Sequence, residues 1–347
     1  MSLFKIKLLK TNIKAAALAF VLAFSLFSNA QALTITPIKL ELKGDPGMTL
    51  KQEVTLYNEH DKEEVFYLSY ANFEAQGETG YPSFSEAKDD IGTWMKAAEK
   101  VTLAPKSSQI VPLLINIPKD ATPGGHFGVV FWGTVPQNAT GNGVAIGAKT
   151  GVLVLVSVSG DVNEDGGIIS FDTTDKKHYY NSLPIGFTYR FQNNGDDRIK
   201  PSGNLIVKNI LGITSAKLPG NPVDGNILPS GTRKIEIVWQ GSDGATSLED
   251  NDSGNFFTKV GRQWRNFGFG RYTANLALSY GLKNQVSTAK VSFWVFPWHL
   301  TVFVLVLGII LYYVARKLIR KYNAWVIKKA EELLKKEIEK QSKSGKK

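Results

Sequence analysis

Asp161, Asn163, Asp165 and Asp172 present oxygen side chains at positions one, three, five and twelve of a short run, with Gly166 at the sixth. That is calcium-loop spacing with glycine at the sharp turn. Against it, the preceding segment reads as a strand instead of a helix, and the twelfth residue is Asp where a longer bidentate Glu is usual. A turn between two domains is the stronger reading, because motif matches outside their structural context are mostly false. The four histidines, His60, His126, His178 and His299, stand apart with no zinc-binding spacing. The pairs Asp89/Asp90 and Asp196/Asp197 sit in turn-like sequence. No nucleophile elbow, phosphate loop or dinucleotide fingerprint occurs where a strand runs into a helix. The residues therefore predict a protein without catalytic activity, cofactor or firm metal site.

The remaining candidates are ligand-binding ones. In TPGGHFGVVFWGTV, Gly124 and Gly125 allow close backbone approach or a bulge at a strand start, and His126 adds a polar group. Aromatic rings stack on sugars and pack in cores alike, so Phe131 and Trp132 read first as core. Trp94, in a stretch without strand pattern, reads as a surface aromatic. Trp94, Gly124, Gly125 and His126 are the candidate binding residues.

Strands must position them. From Leu33 the chain alternates apolar and polar residues in short runs, LTITPIKLEL, LKQEVTLYNE, EVFYLSYANFEA, HFGVVFWGTV and GVLVLVSVSG, separated by Gly, Pro, Asn or Asp. In the second run Leu50, Val54 and Leu56 share one face while Lys51, Glu53 and Thr55 share the other, as in one sheet of a sandwich. Only residues 86–100 suggest a helical excursion, a short helix or loop between strands. After GDVNEDGG the same grammar returns in IISFDT, LPIGFTYRFQNNG, GNLIVKNILG, KIEIVWQG, GRYTANLALSYG and AKVSFWV. A polar insert, GSDGATSLEDNDSGN, reads as a mobile surface loop before GRQWRNFGFGRY. The expected fold class is all-β: two tandem Ig-like β-sandwich domains, a single transmembrane helix and a short cytoplasmic helix.

Two apolar segments bracket these strands. Residues 15–27 follow four lysines and end in Ala30-Gln31-Ala32, the pattern of a removed signal peptide covering 1–32. Residues 295–315 carry no charge and suffice to cross about 30 Å of hydrocarbon. Arg316, Lys317, Arg320 and Lys321 follow directly and mark the cytoplasmic side, so the N-terminal body is expected outside the cell membrane. The net charge of +10 belongs to this bracket, since residues 33–297 hold 25 basic and 27 acidic residues. A nucleic-acid partner has no footprint there. With no cysteine, neither disulfides nor thiolate chemistry are available. The expected layout is 1–32 signal peptide, 33–160 first sandwich, 161–293 second sandwich, 294–315 membrane helix and 316–347 basic tail. Beyond the span, apolar residues at roughly helical spacing leave two readings, a helix on anionic lipid or a solvated prolongation of the anchor, with QSKSGKK disordered.

The string TITPIKLELKGDPGMTLKQEVTLYNEHDKEEVFYLSYANFEA and then VTLAPKSSQIVPLLINIPKDATPGGHFGVVFWG resembles the peptidoglycan-binding domain of the WxL-interacting protein family of bacterial surface proteins. The likeness covers residues 33–160 and rests on turns: a Pro-Gly turn before the second strand, one near Asn58, one at Leu103 to Lys106, and the Gly124-Gly125 pair. It implies a surface protein that holds cell-wall glycan or adjacent surface proteins, with the second sandwich binding a partner. Pilus-chaperone-like domains share the same sandwich grammar, which keeps open an assembly subunit that pairs strand edges with partner proteins.

Overall fold

The computed structural model describes residues 33–136, 147–241 and 254–344. The expected signal peptide lies outside the described residues, as does most of the polar insert. The described residues separate into two compact units. One holds those of Met1–Gln76, Tyr81–Asn163 and Gly195–Arg198, and the other those of Gly77–Gly80, Glu164–Asn194 and Ile199–Lys347. The border expected at 160/161 thus falls at 163/164, with two short segments exchanged across it.

Unit one is built from two sheets. The first has the order β1 (Leu33–Thr36), β3 (Thr49–Asn58), β8 (Ser108–Asn116), β6 (Met95–Lys96). The second has the order β2 (Lys39–Gly44), β10 (Lys149–Val158), β9 (Gly124–Gly133), β4 (Glu64–Gln76), β5 (Tyr81–Glu86), with β7 (Lys100–Leu103) also paired to β4. The chain passes from one sheet to the other between β1 and β2, where β2 runs parallel to β10. Alternation sends Val54, Leu56, Val111 and Leu113 from one sheet and Val130, Trp132, Val152 and Val154 from the other into a shared core. Leu50 packs on that core only partly buried, so the face expected for β3 is realised with its outer residue at the rim. The helical excursion shrinks to one turn, α1 (Ile91–Trp94), running straight into β6.

Unit two repeats the plan with β11 (Gly166–Thr173), β13 (Ile185–Asn193) and β16 (Thr232–Trp239) in one sheet. The other orders β12 (Tyr179–Tyr180), β18 (Gln285–Val295), β17 (Gly270–Tyr280), β14 (Ser202–Asn209) and β15 (Thr214–Pro219). Phe187, Tyr189, Phe191, Leu205, Leu276 and Phe293 are fully or almost fully buried between them. Two helices belong to this unit: α2 (Phe256–Arg265) and α3 (Trp298–Ser344). The stretch GRQWR, which follows the expected polar loop and carries no strand pattern, forms the second half of α2. The helix α3 begins at Trp298 because Val295 completes β18, three residues later than the apolar run suggests. It is helical through Ser344, into the tail expected to be disordered. By length and composition, Trp298–Lys336 is long and apolar enough to cross a membrane.

Candidate functional site

Gly124 opens β9 at φ 118°, a conformation L side chains rarely adopt. A Cβ there would meet the Asp196 carbonyl oxygen at 2.6 Å, and the Gly125 amide donates to that same oxygen at 2.9 Å. The glycine pair thus serves close backbone approach within unit one. One residue on, His126 points into a small polar cluster. Its Nδ1 is hydrogen-bonded to the Asp90 carboxylate, its Nε2 lies 2.8 Å from the Thr122 carbonyl, and the Trp94 ring stacks obliquely on it at 4.5 Å between centroids.

Trp94 is therefore no surface aromatic, because only 7% of it is exposed. The one-turn helix α1 turns its indole inward against His126. Asn72 on β4 pins that turn, accepting from the Gly92 amide at 2.9 Å and donating to the Asp89 carbonyl at 3.1 Å. Asp90, one of the carboxylates that read from the sequence as solvated turn residues, starts the turn at φ 52° and is held instead by the His126 ring. Burial disfavours charge on His126, yet its hydrogen bonds to Asp90 and Thr122 and the nearby Asp90 and Asp197 charges outweigh burial and raise its pKa above the usual imidazole value. The cluster is closely packed, with both imidazole nitrogens of His126 engaged by neighbouring oxygens.

The calcium-loop candidate does not assemble. Residues Gly166–Thr173 form β11, so Asp172 stands near the end of an extended strand, about 23 Å along the chain from Asp165 at roughly 3.3 Å per residue. The Asp165 carboxylate accepts from the Asn194 side chain at 3.3 Å, while Asp172 accepts from the Thr173 amide at 2.7 Å. A loop that wraps an ion requires all its ligands on one small turn. Among the described residues no group of three or more His, Cys, Asp or Glu side chains gathers to hold a metal.

A different feature of unit one has the shape of a binding site. On the outer face of the second sheet, Tyr67, Phe84, Phe131 and Lys149 line a cavity of about 410 Å³. Phe84 and Phe131 meet edge to face at 5.1 Å, and Lys149 Nζ lies 4.3 Å from the Phe131 ring centre. Phe73 and Phe127 extend the same aromatic layer. Trp132 is fully buried in the core, as read, whereas the buried Phe131 still floors the cavity. Phe84 is 45% exposed on β5, the last strand of that sheet. Period-two alternation on β4, β5 and β9 assigns these rings to one face, a signal present in ANFEA, YPSFSE and GVVFW but inseparable there from core patterning.

The phase of β5 adds a second property. Pro82 pairs with Ala75 and has no N–H, so that pair is a non-hydrogen-bonded one and its main-chain groups point away from β4. Phe84 and Glu86 share this phase, which directs their amides to the open edge beside the cavity.

No family model matches the chain, and no curated protein matches it. Solved structures to which it is similar include the class 5 fimbriae chaperone CfaA, at 15% identity and a TM-score of 0.37, covering 75% of this chain and 98% of that one. The E. coli chaperone DraB is similar at 10% identity and a TM-score of 0.31, covering 76% and 97%. The Pseudomonas aeruginosa CupB2 chaperone is similar at 5% identity and a TM-score of 0.32, covering 75% and 100%.

Proposed function

We propose that the chain is a non-enzymatic, membrane-anchored binding protein that holds an extended segment of a partner protein against the second sheet of unit one. The observation that carries this reading is the coincidence of an open strand edge with an aromatic cavity. An added strand gains main-chain hydrogen bonds from the Phe84 and Glu86 amides, and alternate side chains enter the space between Phe84, Phe131 and Tyr67. Pro82 limits how far pairing extends, which protects the edge from indiscriminate aggregation. The apolar helix α3 with its basic flank supports an anchor whose N-terminal body lies outside the cell.

Photo-crosslinking tests it, with a benzophenone amino acid replacing Phe84 in whole cells. A discrete protein adduct at position 84, lost when the crosslinker is moved to exposed Lys51, is the expected result. Absence of any adduct at position 84 would sink the reading. A second reading, attachment to cell-wall glycan, is favoured by the exposed Phe84 ring beside Tyr67, since such rings stack on sugars as well. Its outcome in the same experiment is a glycan-borne smear, with the full chain sedimenting on insoluble peptidoglycan.

A further inference from the structure

The helix α2 carries two different apolar faces. Phe256, Val260 and Gln263 turn inward, with Val260 and Gln263 buried, and the Gln263 amide group locks onto the start of α3. Its Oε1 accepts from the Leu300 amide at 2.9 Å, and its Nε2 lies 3.1 Å from His299 Nδ1. Phe256 meets the His299 ring at 5.7 Å between centroids. The neighbouring face, Phe257, Gly261 and Trp264 at i, i+4 and i+7, is turned to solvent, with both aromatic residues 70% exposed. Large apolar side chains in solvent at regular helical spacing require an explanation.

The attachment to α3 supplies one. Phe257 contacts Phe303 edge to face at 6.4 Å, and Phe303 lies five residues after Trp298, about 7.5 Å further along the helix at 1.5 Å per residue. Helices lying in a membrane interface bury their apolar face about 5–10 Å deep. Phe267, Phe269 and Phe296 continue the exposed aromatic surface beyond α2. On the remaining arc of α2 stand Lys259, Arg262 and Arg265, and no Asp or Glu occurs from Gly254 to Ala330. Aromatic rings facing the acyl boundary with cations facing headgroup phosphates is the composition of an interfacial helix.

We infer that α2 lies in the headgroup layer on the outer side of the membrane, with Phe257 and Trp264 in lipid and its cations toward anionic headgroups, so that unit two is seated on the bilayer instead of tethered above it. This rests on the reading of α3 as a membrane anchor.

The absence of cysteine makes the test direct. Full-length chain carrying Gly261→Cys, Val306→Cys or Lys283→Cys is labelled with a fluorophore and reconstituted in phosphatidylethanolamine/phosphatidylglycerol vesicles. Position 261 has no atom within 4 Å of a Cβ built there, so the substitution fits. Expected is quenching by lipid-borne nitroxide at 261 and 306, with loss of quenching by aqueous iodide, and the reverse at 283. Lipid quenching at 306 with iodide quenching at 261 overturns the inference and leaves the anchor standing. Protection of 261 from both quenchers means a protein surface covers α2 and also overturns it. Iodide quenching at 306 removes the anchor and the inference together. Phe257→Cys provides the same readout on the same face should Gly261→Cys fail to fold.

Discussion

Asn58 is fully buried and completely satisfied. Its Nδ2 donates to the carbonyls of Lys62, Leu103 and Ala104 at 2.9 to 3.1 Å, and its Oδ1 accepts from the His60 amide at 2.9 Å. It thereby joins the turn after β3 to the turn after β7, two of the segments on which the family resemblance was drawn. Asn58→Ala should cost about 2–4 kcal/mol in chemical unfolding, since several buried carbonyls lose their donor at once. Asp90 and His126 make a pH-dependent clamp. Because the folded pKa of His126 is raised, its contribution is fully present below the unfolded value of about 6.5 and is lost as pH rises through the higher folded value. Asp90→Asn should therefore lower the melting temperature at about pH 5.5, and its deficit against the wild type should shrink by about pH 8.5. An unchanged deficit across that range would remove the charge from the explanation. His126 and Trp94 were visible in the sequence as candidates, but their mutual packing was not, because 32 residues separate them and β9 has to fold back beside α1 first.

At the scale of elements, the strands were legible because burial on a pleated sheet imposes a period of two that turns cannot imitate. Two features escaped. The cavity needs β4, β5, β9 and β10 side by side, and their register is a tertiary quantity. The helix α2 was hidden because Gly261 sits in its interior and glycines at 254, 268 and 270 flank it, a composition that weakens a helix reading. Its start is fixed by Asn255, whose Oδ1 accepts from the Thr258 amide at 3.0 Å. Asn255→Ala should destabilise this helix by about 1 kcal/mol, seen as faster hydrogen exchange across Phe256–Arg265 with exchange in β13 unchanged. Equal acceleration in β13 would mean that the cap supports the whole unit. Gly124→Ala should be costlier than a loop substitution, because the new methyl group collides with the Asp196 carbonyl in a backbone conformation that alanine resists.

For the whole molecule, the anchor reading makes a topological prediction. Lys283→Cys on the β17–β18 turn should react with a membrane-impermeant maleimide in intact cells, and Lys329→Cys should react only after lysis. Reversed labelling would invert the orientation, and labelling of both in intact cells would remove the span. The sequence by itself determined the strands and the apolar run with its charged flank: strand periodicity, turns, the uncharged apolar run, its basic flank and the near-neutral body before it are local quantities, carried by neighbouring residues. Only the tertiary structure decided which of the candidate residues meet. It buried Trp94 on His126, stretched the calcium-like run into β11, gathered Phe84, Phe131 and Lys149 around one cavity, and locked α2 to the head of α3. Those outcomes depend on pairing between strands and helices far apart in the chain, and pairing is selected by the total burial of apolar surface, a sum that no single segment contains.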